Sequence, residues 1–176
     1  MPDRRGGGLA LNLKPEPFMS PILDEPAVDP IRSYFSQLCV MLTGIASGVV
    51  EAPLHDADQS SAYHMGRRDG YHVVVAHLAA SRSLREAADK CVAFGRGVEE
   101  RADSHPYGPE WSQGFAQATM EAAADIAMYA ATEYVPPVDK ARLRAARTAA
   151  RHLSPLNGMF PPRPMPPEGS RSHHEW

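Results

Sequence analysis

The sequence has little lysine and little cysteine. Only three of its 18 basic residues are lysines, and this arginine bias, with abundant alanine, is typical of a GC-rich bacterial genome such as that of an actinobacterium or its phage. The two cysteines, Cys39 and Cys91, lie in apolar helical patterns, which favours buried free thiols over a disulfide or a nucleophile. Because no signal-peptide pattern is present either, this cysteine usage predicts a cytoplasmic protein.

The sequence also has no excess of positive charge. The formal net charge is −3, whereas a general nucleic-acid binder needs a basic surface, so nucleic acid is not the expected partner. The uncharged stretch 33–50 reaches the minimum length of a membrane span. Seven of its residues are Ser, Gln, Thr or Gly and no basic cluster flanks it, so we predict a buried core helix and no membrane contact.

The sequence lacks the short motifs of several enzyme and metal-site classes. It has no phosphate loop, dinucleotide fingerprint or serine-nucleophile elbow. It also has no Cys-x-x-Cys, Glu-x-x-His or His-Glu-x-x-His spacing, which are patterns of zinc sites and of metal-binding bundles. We therefore predict no catalytic residue, no metal and no cofactor.

What the sequence does hold is helical periodicity. Apolar residues recur at steps of three and four, and this pattern predicts an all-α, single-domain bundle of about five helices over residues 29–153. Asp29 is the predicted N-cap of the first helix. The predicted helices begin at Pro30, Ser61, Ser83, Pro109 and Lys140, and the first of them ends at Val50.

The two ends of the chain differ from the middle in composition. Residues 1–28 hold five prolines and are predicted to form a flexible, extended N-terminal arm. Residues 154–176 are again proline-rich and are predicted to be a disordered tail, with runs at 161–164 and 164–167 that favour the polyproline conformation. This tail is either a docking peptide or a solubilising segment.

A faint internal repeat relates helices two and four. Tyr63-x-x-Gly66 matches Trp111-x-x-Gly114, 48 residues later. A glycine within a helix costs about 1 kcal/mol relative to alanine, and a close approach of two backbones would offset that cost. We predict that the two helices pack closely through rows of small residues; otherwise Gly66 and Gly70 only loosen the start of helix two, and Gly70→Leu is harmless. The rows are Gly66, Gly70 and Val74 on helix two, and Gly114, Ala118 and Ala122 on helix four.

Polar residues of helix two are the first candidates for chemistry. His77 on its apolar face and Asp125 beside the apolar face of helix four are predicted to meet as a buried, hydrogen-bonded pair. His64, Arg68 and His72 are predicted to form a solvated face. The alternative is a small enzyme or metal-binding bundle that uses the histidines of helix two.

Helix five offers a third alternative, a nuclease-like bundle or another role in association with nucleic acid. Arg147 and His152 fit the Arg-x4-His spacing found in HEPN-type ribonucleases, which are also helical bundles. Arg67 and His72 fit the same spacing, and residues five apart point about 140° apart on a helix, which suits joint attack on a phosphate poorly. Helix five also holds the one concentrated basic patch of the sequence, formed by Arg142, Arg144, Arg147 and Arg151.

The loop before helix four presents aromatic side chains. His105, Tyr107 and Trp111 form a candidate interaction loop, because exposed aromatic residues are favoured in binding sites; alternatively, Trp111 anchors helix four in the core. Phe94 is placed on the inner face of helix three. We expect a non-catalytic interaction or regulatory module that acts through protein–protein contacts, with a homodimer through helix one as one form.

Overall fold

The computed structural model describes residues 26–153, which form five α-helices and no strand. The all-α bundle of five helices is thereby confirmed. Most of the predicted N-terminal arm and all of the predicted tail lie outside the described residues. No helix within 26–153 is long and apolar enough to cross a membrane. The helices are α1 (Val28–Ala46), α2 (Ser61–Ala80), α3 (Leu84–Glu99), α4 (Gly108–Thr132) and α5 (Lys140–Leu153), with short 3₁₀ turns at Leu54–Asp56 and Ala102–Ser104.

The first helix differs from the prediction at both ends. It begins before Asp29, which lies within the first turn and does not cap it. It ends at Ala46 and not at Val50, because the chain turns back on itself there. Gly48 adopts a φ of +70°, and the Val50 N–H donates a hydrogen bond to the Gly44 carbonyl at 3.1 Å.

Polar side chains cap three of the other helices. The Ser60 hydroxyl accepts a hydrogen bond from the N–H of Tyr63 at 3.2 Å, and the Ser83 hydroxyl accepts one from the N–H of Glu86 at 3.0 Å. The Asp139 carboxylate accepts two bonds from N–H groups in the first turn of α5, each at 3.0 Å. These caps fix where α2, α3 and α5 begin.

The bundle consists of two antiparallel hairpins and one added helix. In the α1–α2 hairpin, Phe35 stacks on Tyr71 at 5.6 Å, and the Ser61 hydroxyl donates to the Ala46 carbonyl at 2.7 Å. The α3–α4 hairpin packs against it through α4, and α5 lies against α1. Every helix contributes to one core, which includes Ile31, Phe35, Leu42, Val74, Leu78, Leu84, Cys91, Ala122, Ile126 and Ala146.

Glycines bring the backbones of α2 and α4 into contact. A Cβ at Gly66 would overlap the carbonyl oxygen of Trp111, and a Cβ at Gly114 would overlap the carbonyl oxygen of Tyr63. A Cβ at Gly70 would lie 2.9 Å from the Phe115 carbonyl oxygen and 3.0 Å from the Ala118 Cβ. Because Gly70 meets later residues of α4 than Gly66 does, the two helices run parallel. Gly66 and Gly70 thus lie in a tight interface, which does not fit the alternative that they only loosen the start of α2.

The contacts of Gly66 and Gly114 are reciprocal. Each glycine faces the carbonyl group of the residue that begins the other copy of the repeat, and then a backbone nitrogen four residues further on, Phe115 in one case and Arg67 in the other. All of these positions are related by an offset of 48 residues. We infer that α2 and α4 are related by an approximate two-fold axis that runs between them.

The two cysteines are buried and free, as predicted. Burial raises the pKa of Cys39 to about 12 and that of Cys91 to about 11. Both side chains are therefore neutral thiols at physiological pH and act as small apolar core residues.

The apolar face of α1 is covered from two sides. α2 packs on one side and α5 on the other, with Leu143 and Ala146 of α5 both buried. A Cβ at Gly44 of α1 would lie 2.9 Å from the Ala146 Cβ, so α5 sits close to this helix. The homodimer through helix one stays a prediction, and α5 covers part of the apolar face that it would use.

Candidate functional site

An aromatic groove lies between the end of α3, the following link and the start of α4. Its volume is about 420 Å³. Two rings are half-exposed at its edges: Phe94 is 48% exposed and Tyr107 is 49% exposed. We call this surface the aromatic groove; it is lined by Phe94, Val98, Arg101, Ser104, His105, Pro106, Tyr107, Trp111 and Phe115.

The rings of the aromatic groove form a continuous series of stacked and tilted contacts. His105 lies almost parallel to Trp111, with 4.5 Å between centroids and 9° between planes. Trp111 stacks on Phe115 at 5.0 Å, and Phe115 contacts Phe94 at 5.7 Å. Tyr107 packs against Trp111 at 5.1 Å. The groove is therefore preformed, since each ring is held by its neighbours.

Trp111 is the floor of this groove. Only 8% of its surface is exposed, and its indole N–H donates a hydrogen bond to the Asp69 carboxylate at 3.1 Å. Arg68 donates to the other oxygen of the same carboxylate at 2.7 Å and so fixes its orientation. Of the predicted interaction loop, Tyr107 is exposed and His105 is half-buried, whereas Trp111 anchors α4 in the core.

Phe94 is a groove residue that the sequence analysis misplaced. Helical periodicity puts it beside the buried Cys91 and Val98, yet nearly half of its surface is exposed. The apolar stripe of α3 is wider than the face that α4 covers, and Phe94 lies at its edge. Only the position of α4 distinguishes this edge from the buried centre, so periodicity alone cannot reveal it.

His77 and Asp125 do not form the predicted pair. The His77 ring packs edge-on against Phe94 of α3 at 5.9 Å, and its buried Nε2 has no hydrogen-bond partner among residues 26–153. Asp125 lies towards α1, where burial and then the charge of Asp125 raise the pKa of Tyr34 to about 12. The prediction was wrong because His77 and Asp125 are equivalent positions of the repeat. The two-fold axis between α2 and α4 directs equivalent side chains that lie away from the axis to opposite sides of the helix pair.

A buried polar cluster around Arg67 was not predicted. Its guanidinium bonds to Asp56 at 3.0 Å, to Glu121 at 2.5 Å and to the Tyr71 hydroxyl at 3.1 Å. The Tyr71 hydroxyl in turn donates to Glu121 at 3.1 Å. The Arg67 and Asp56 side chains are only 13% and 11% exposed. The cluster joins the Leu54–Asp56 turn, α2 and α4, and within residues 26–153 the buried Nε of Arg67 has no hydrogen-bond partner.

Charge and burial oppose each other in the Arg67 cluster. Burial lowers the pKa of Arg67, but the Tyr71 hydroxyl and the Glu121 carboxylate raise it by a larger amount. The net pKa of Arg67 therefore lies above its usual value. Burial raises the pKa of Tyr71, and its hydroxyl stays neutral. The one local sign of this cluster in the sequence is the four-residue spacing of Tyr63, Arg67 and Tyr71, which places them on one side of α2. Its partner Glu121 lies 54 residues from Arg67, so helical periodicity cannot predict their contact.

The histidines of helix two do not share one face. His64 was predicted to be solvated but is buried, with 4% of its surface exposed, and its Nδ1 has no hydrogen-bond partner within 26–153. His72 is exposed. The end of α1 and the Leu54–Asp56 turn cover His64, which the helical wheel of α2 alone could not show. Among the described residues, no three His, Cys, Asp or Glu side chains come together as metal ligands.

The residues of the two Arg-x4-His matches also lie apart. Arg147 lines a groove beside Gln37 of α1, whereas His152 lines a different surface beside Val49. In the second match, Arg67 is held in its buried cluster while His72 is exposed. Neither spacing assembles a joint site for attack on a phosphate.

Comparison with protein-family models, with curated proteins and with solved structures found no match to this chain.

Proposed function

We propose that the chain is a non-catalytic helical interaction module, whose aromatic groove binds a proline-rich segment of the kind that it carries at residues 161–167. The observation that supports this proposal is the pair of half-exposed rings, Phe94 and Tyr107, above a floor of stacked aromatic side chains. Large exposed rings beside a buried tryptophan are favoured as binding hot spots.

The shape and chemistry of the groove suit an extended peptide. Proline-rich segments adopt the polyproline conformation before they bind, and they dock on grooves lined by aromatic rings. The rings of the aromatic groove are held by mutual stacking, so little side-chain freedom is lost on binding. Residues 161–167 read Pro-Pro-Arg-Pro-Met-Pro-Pro.

The test uses the whole chain with a fluorescent reporter in the groove. The sequence has two tryptophans, so Trp176→Phe leaves Trp111 as the single one. Replacing the five prolines at 161–167 by alanine then removes the chain's own proline-rich segment as a competitor. We expect a synthetic peptide of residues 159–168 to bind this chain saturably, with a change in Trp111 emission, and the same peptide with alanine in place of proline to bind at least tenfold more weakly.

Two pairs of variants separate the groove from the rest of the surface. Phe94→Ala with Tyr107→Ala should weaken peptide binding at least tenfold, which corresponds to about 1.4 kcal/mol. Met65→Ala with Met128→Ala removes two other exposed apolar side chains, 40% and 53% exposed, and should leave binding unchanged. Absence of saturable binding, or equal loss in both pairs, would refute the proposal.

A further inference from the structure

The positive charge of the described chain is concentrated in α5. Residues 140–153 contain five basic and no acidic residues, whereas residues 26–139 contain fifteen acidic and eight basic residues. The net charge of the whole chain conceals this separation. A polyanion should therefore be attracted to α5 more strongly than to the rest of the described chain, which carries net negative charge.

The basic residues of α5 point mainly to solvent. Leu143 and Ala146 turn inward against α1, and Arg142 is held by Asp139 and by the Glu51 carbonyl. The remaining four side chains are exposed and form no ion pair within residues 26–153. We call them the α5 basic face: Lys140, Arg144, Arg147 and Arg151. Gln37 and Thr148 line the same groove, which has a volume of about 440 Å³.

The α5 basic face is unfavourable for the isolated helix. Lys140 and Arg144, Arg144 and Arg147, and Arg147 and Arg151 are neighbours at spacings of four, three and four residues, where like charges repel. No acidic side chain of α5 offsets this repulsion. A bound polyanion would remove it, and arginine is well suited to phosphate because its planar fork of donors matches phosphate oxygens.

We propose that the α5 basic face binds the phosphate backbone of duplex nucleic acid without reading its sequence. The face extends over about 16 Å from residue 140 to residue 151, enough for several phosphates. The other exposed positions between its cations are alanine and threonine. Bulky apolar side chains that could enter a membrane are thus missing from this face, as are aromatic rings that could stack on single-stranded bases.

The test measures the binding of the whole chain to a fluorescein-labelled 20-base-pair DNA duplex by anisotropy, between 25 and 200 mM salt. Four phosphate contacts predict a slope of about −3 to −4 in a plot of log K against log salt concentration. Arg144→Glu with Arg147→Glu should weaken binding at least tenfold at 25 mM salt and make the slope shallower by about 2.

The matched control is Arg85→Glu with Arg96→Glu. Both arginines are exposed on α3 and form no ion pair within 26–153, and the double change alters the net charge by the same amount. It should keep the slope and most of the affinity. Arg144→Gln with Arg147→Gln serves as a second test if the charge reversal unfolds the chain, as judged by circular dichroism.

Three results would overturn the proposal. The first is no binding to the duplex at 25 mM salt. The second is an equal loss of affinity in the α5 and α3 variants, which would reflect net charge alone. The third is binding to phosphatidylserine vesicles but not to the duplex, which would assign the face to a membrane surface. Because the peptide and duplex experiments use different surfaces, either proposal can fail without the other.

Discussion

At the scale of single residues, the packing of α2 against α4 depends on glycines, which have no side chain. Gly66 and Gly114 each leave room for a backbone carbonyl of the neighbouring helix. Gly97 is also helical, but a Cβ there would meet only the end of the Arg101 side chain, at 3.5 Å. The three glycines share the same helical cost and differ in their surroundings.

Alanine substitutions should therefore act in opposite directions. Gly66→Ala should lower the free energy of unfolding by about 1–3 kcal/mol or more, because its methyl group would displace the Trp111 backbone. Gly97→Ala should raise the free energy of unfolding by up to about 1 kcal/mol, since it relieves only the helical cost of glycine. Urea denaturation measures both values. Equal effects at the two positions would contradict the backbone contact between α2 and α4.

At the scale of elements, the Arg67 cluster links parts that are distant in sequence. Arg67→Met should lower the free energy of unfolding by about 3 kcal/mol, because it leaves the buried Asp56 carboxylate without its cation. Adding Asp56→Asn should recover part of this loss. By contrast, Arg32→Ala breaks an exposed ion pair with Asp29 and should cost less than about 1 kcal/mol. If Arg67→Met is as mild as Arg32→Ala, the cluster contributes little to stability.

The helices could be predicted from the sequence, but which elements pack against each helix could not. The start of α2 at Ser61 follows from the periodicity of its apolar residues. The end of α1 does not, because it depends on how Gly48 turns the chain back onto Gly44. The burial of His64 and the exposure of Phe94 depend on which element covers each of them.

The contacts between α2 and α4 show the same limit. The small residues around Gly66 and Gly114 indicate a close approach, and the structure shows that approach. The 48-residue spacing of the repeat does not reveal the two-fold axis between α2 and α4. This axis places His77 and Asp125 on opposite sides of the helix pair. The aromatic groove was predicted only in part, through His105 and Tyr107, because its other wall comes from α3.

At the scale of the whole molecule, buried histidines should couple stability to pH. Burial lowers the pKa of His64, against an opposing effect of Asp56, and burial also lowers the pKa of His77. Below about pH 6.5 the unfolded chain therefore binds protons that the folded chain does not. The free energy of unfolding should be highest above this pH and should fall as the pH drops towards the lowered values.

Thermal unfolding at pH 8, 6.5 and 5.5 measures this dependence. His64→Gln with His77→Gln should flatten the fall in Tm between pH 6.5 and 5.5, whereas His72→Gln, at an exposed position, should leave it unchanged. Asp125 contributes with the opposite sign, because burial raises its pKa. A Tm that does not change between pH 8 and 5.5 would contradict the prediction.

The reciprocal backbone contacts of Gly66 and Gly114 have a consequence for the association of two chains. The two hairpins meet through equivalent surfaces and are joined by residues 81–83, and α5 follows α4 and packs on α1. If residues 81–83 straightened, helices α3 to α5 of one chain could dock on the α1–α2 hairpin of another and rebuild the same interfaces. Short connections of this kind favour such exchange. The fold thus contains a route to an intertwined dimer that needs no new contact surface, and a preparation concentrated during refolding is where that species should accumulate.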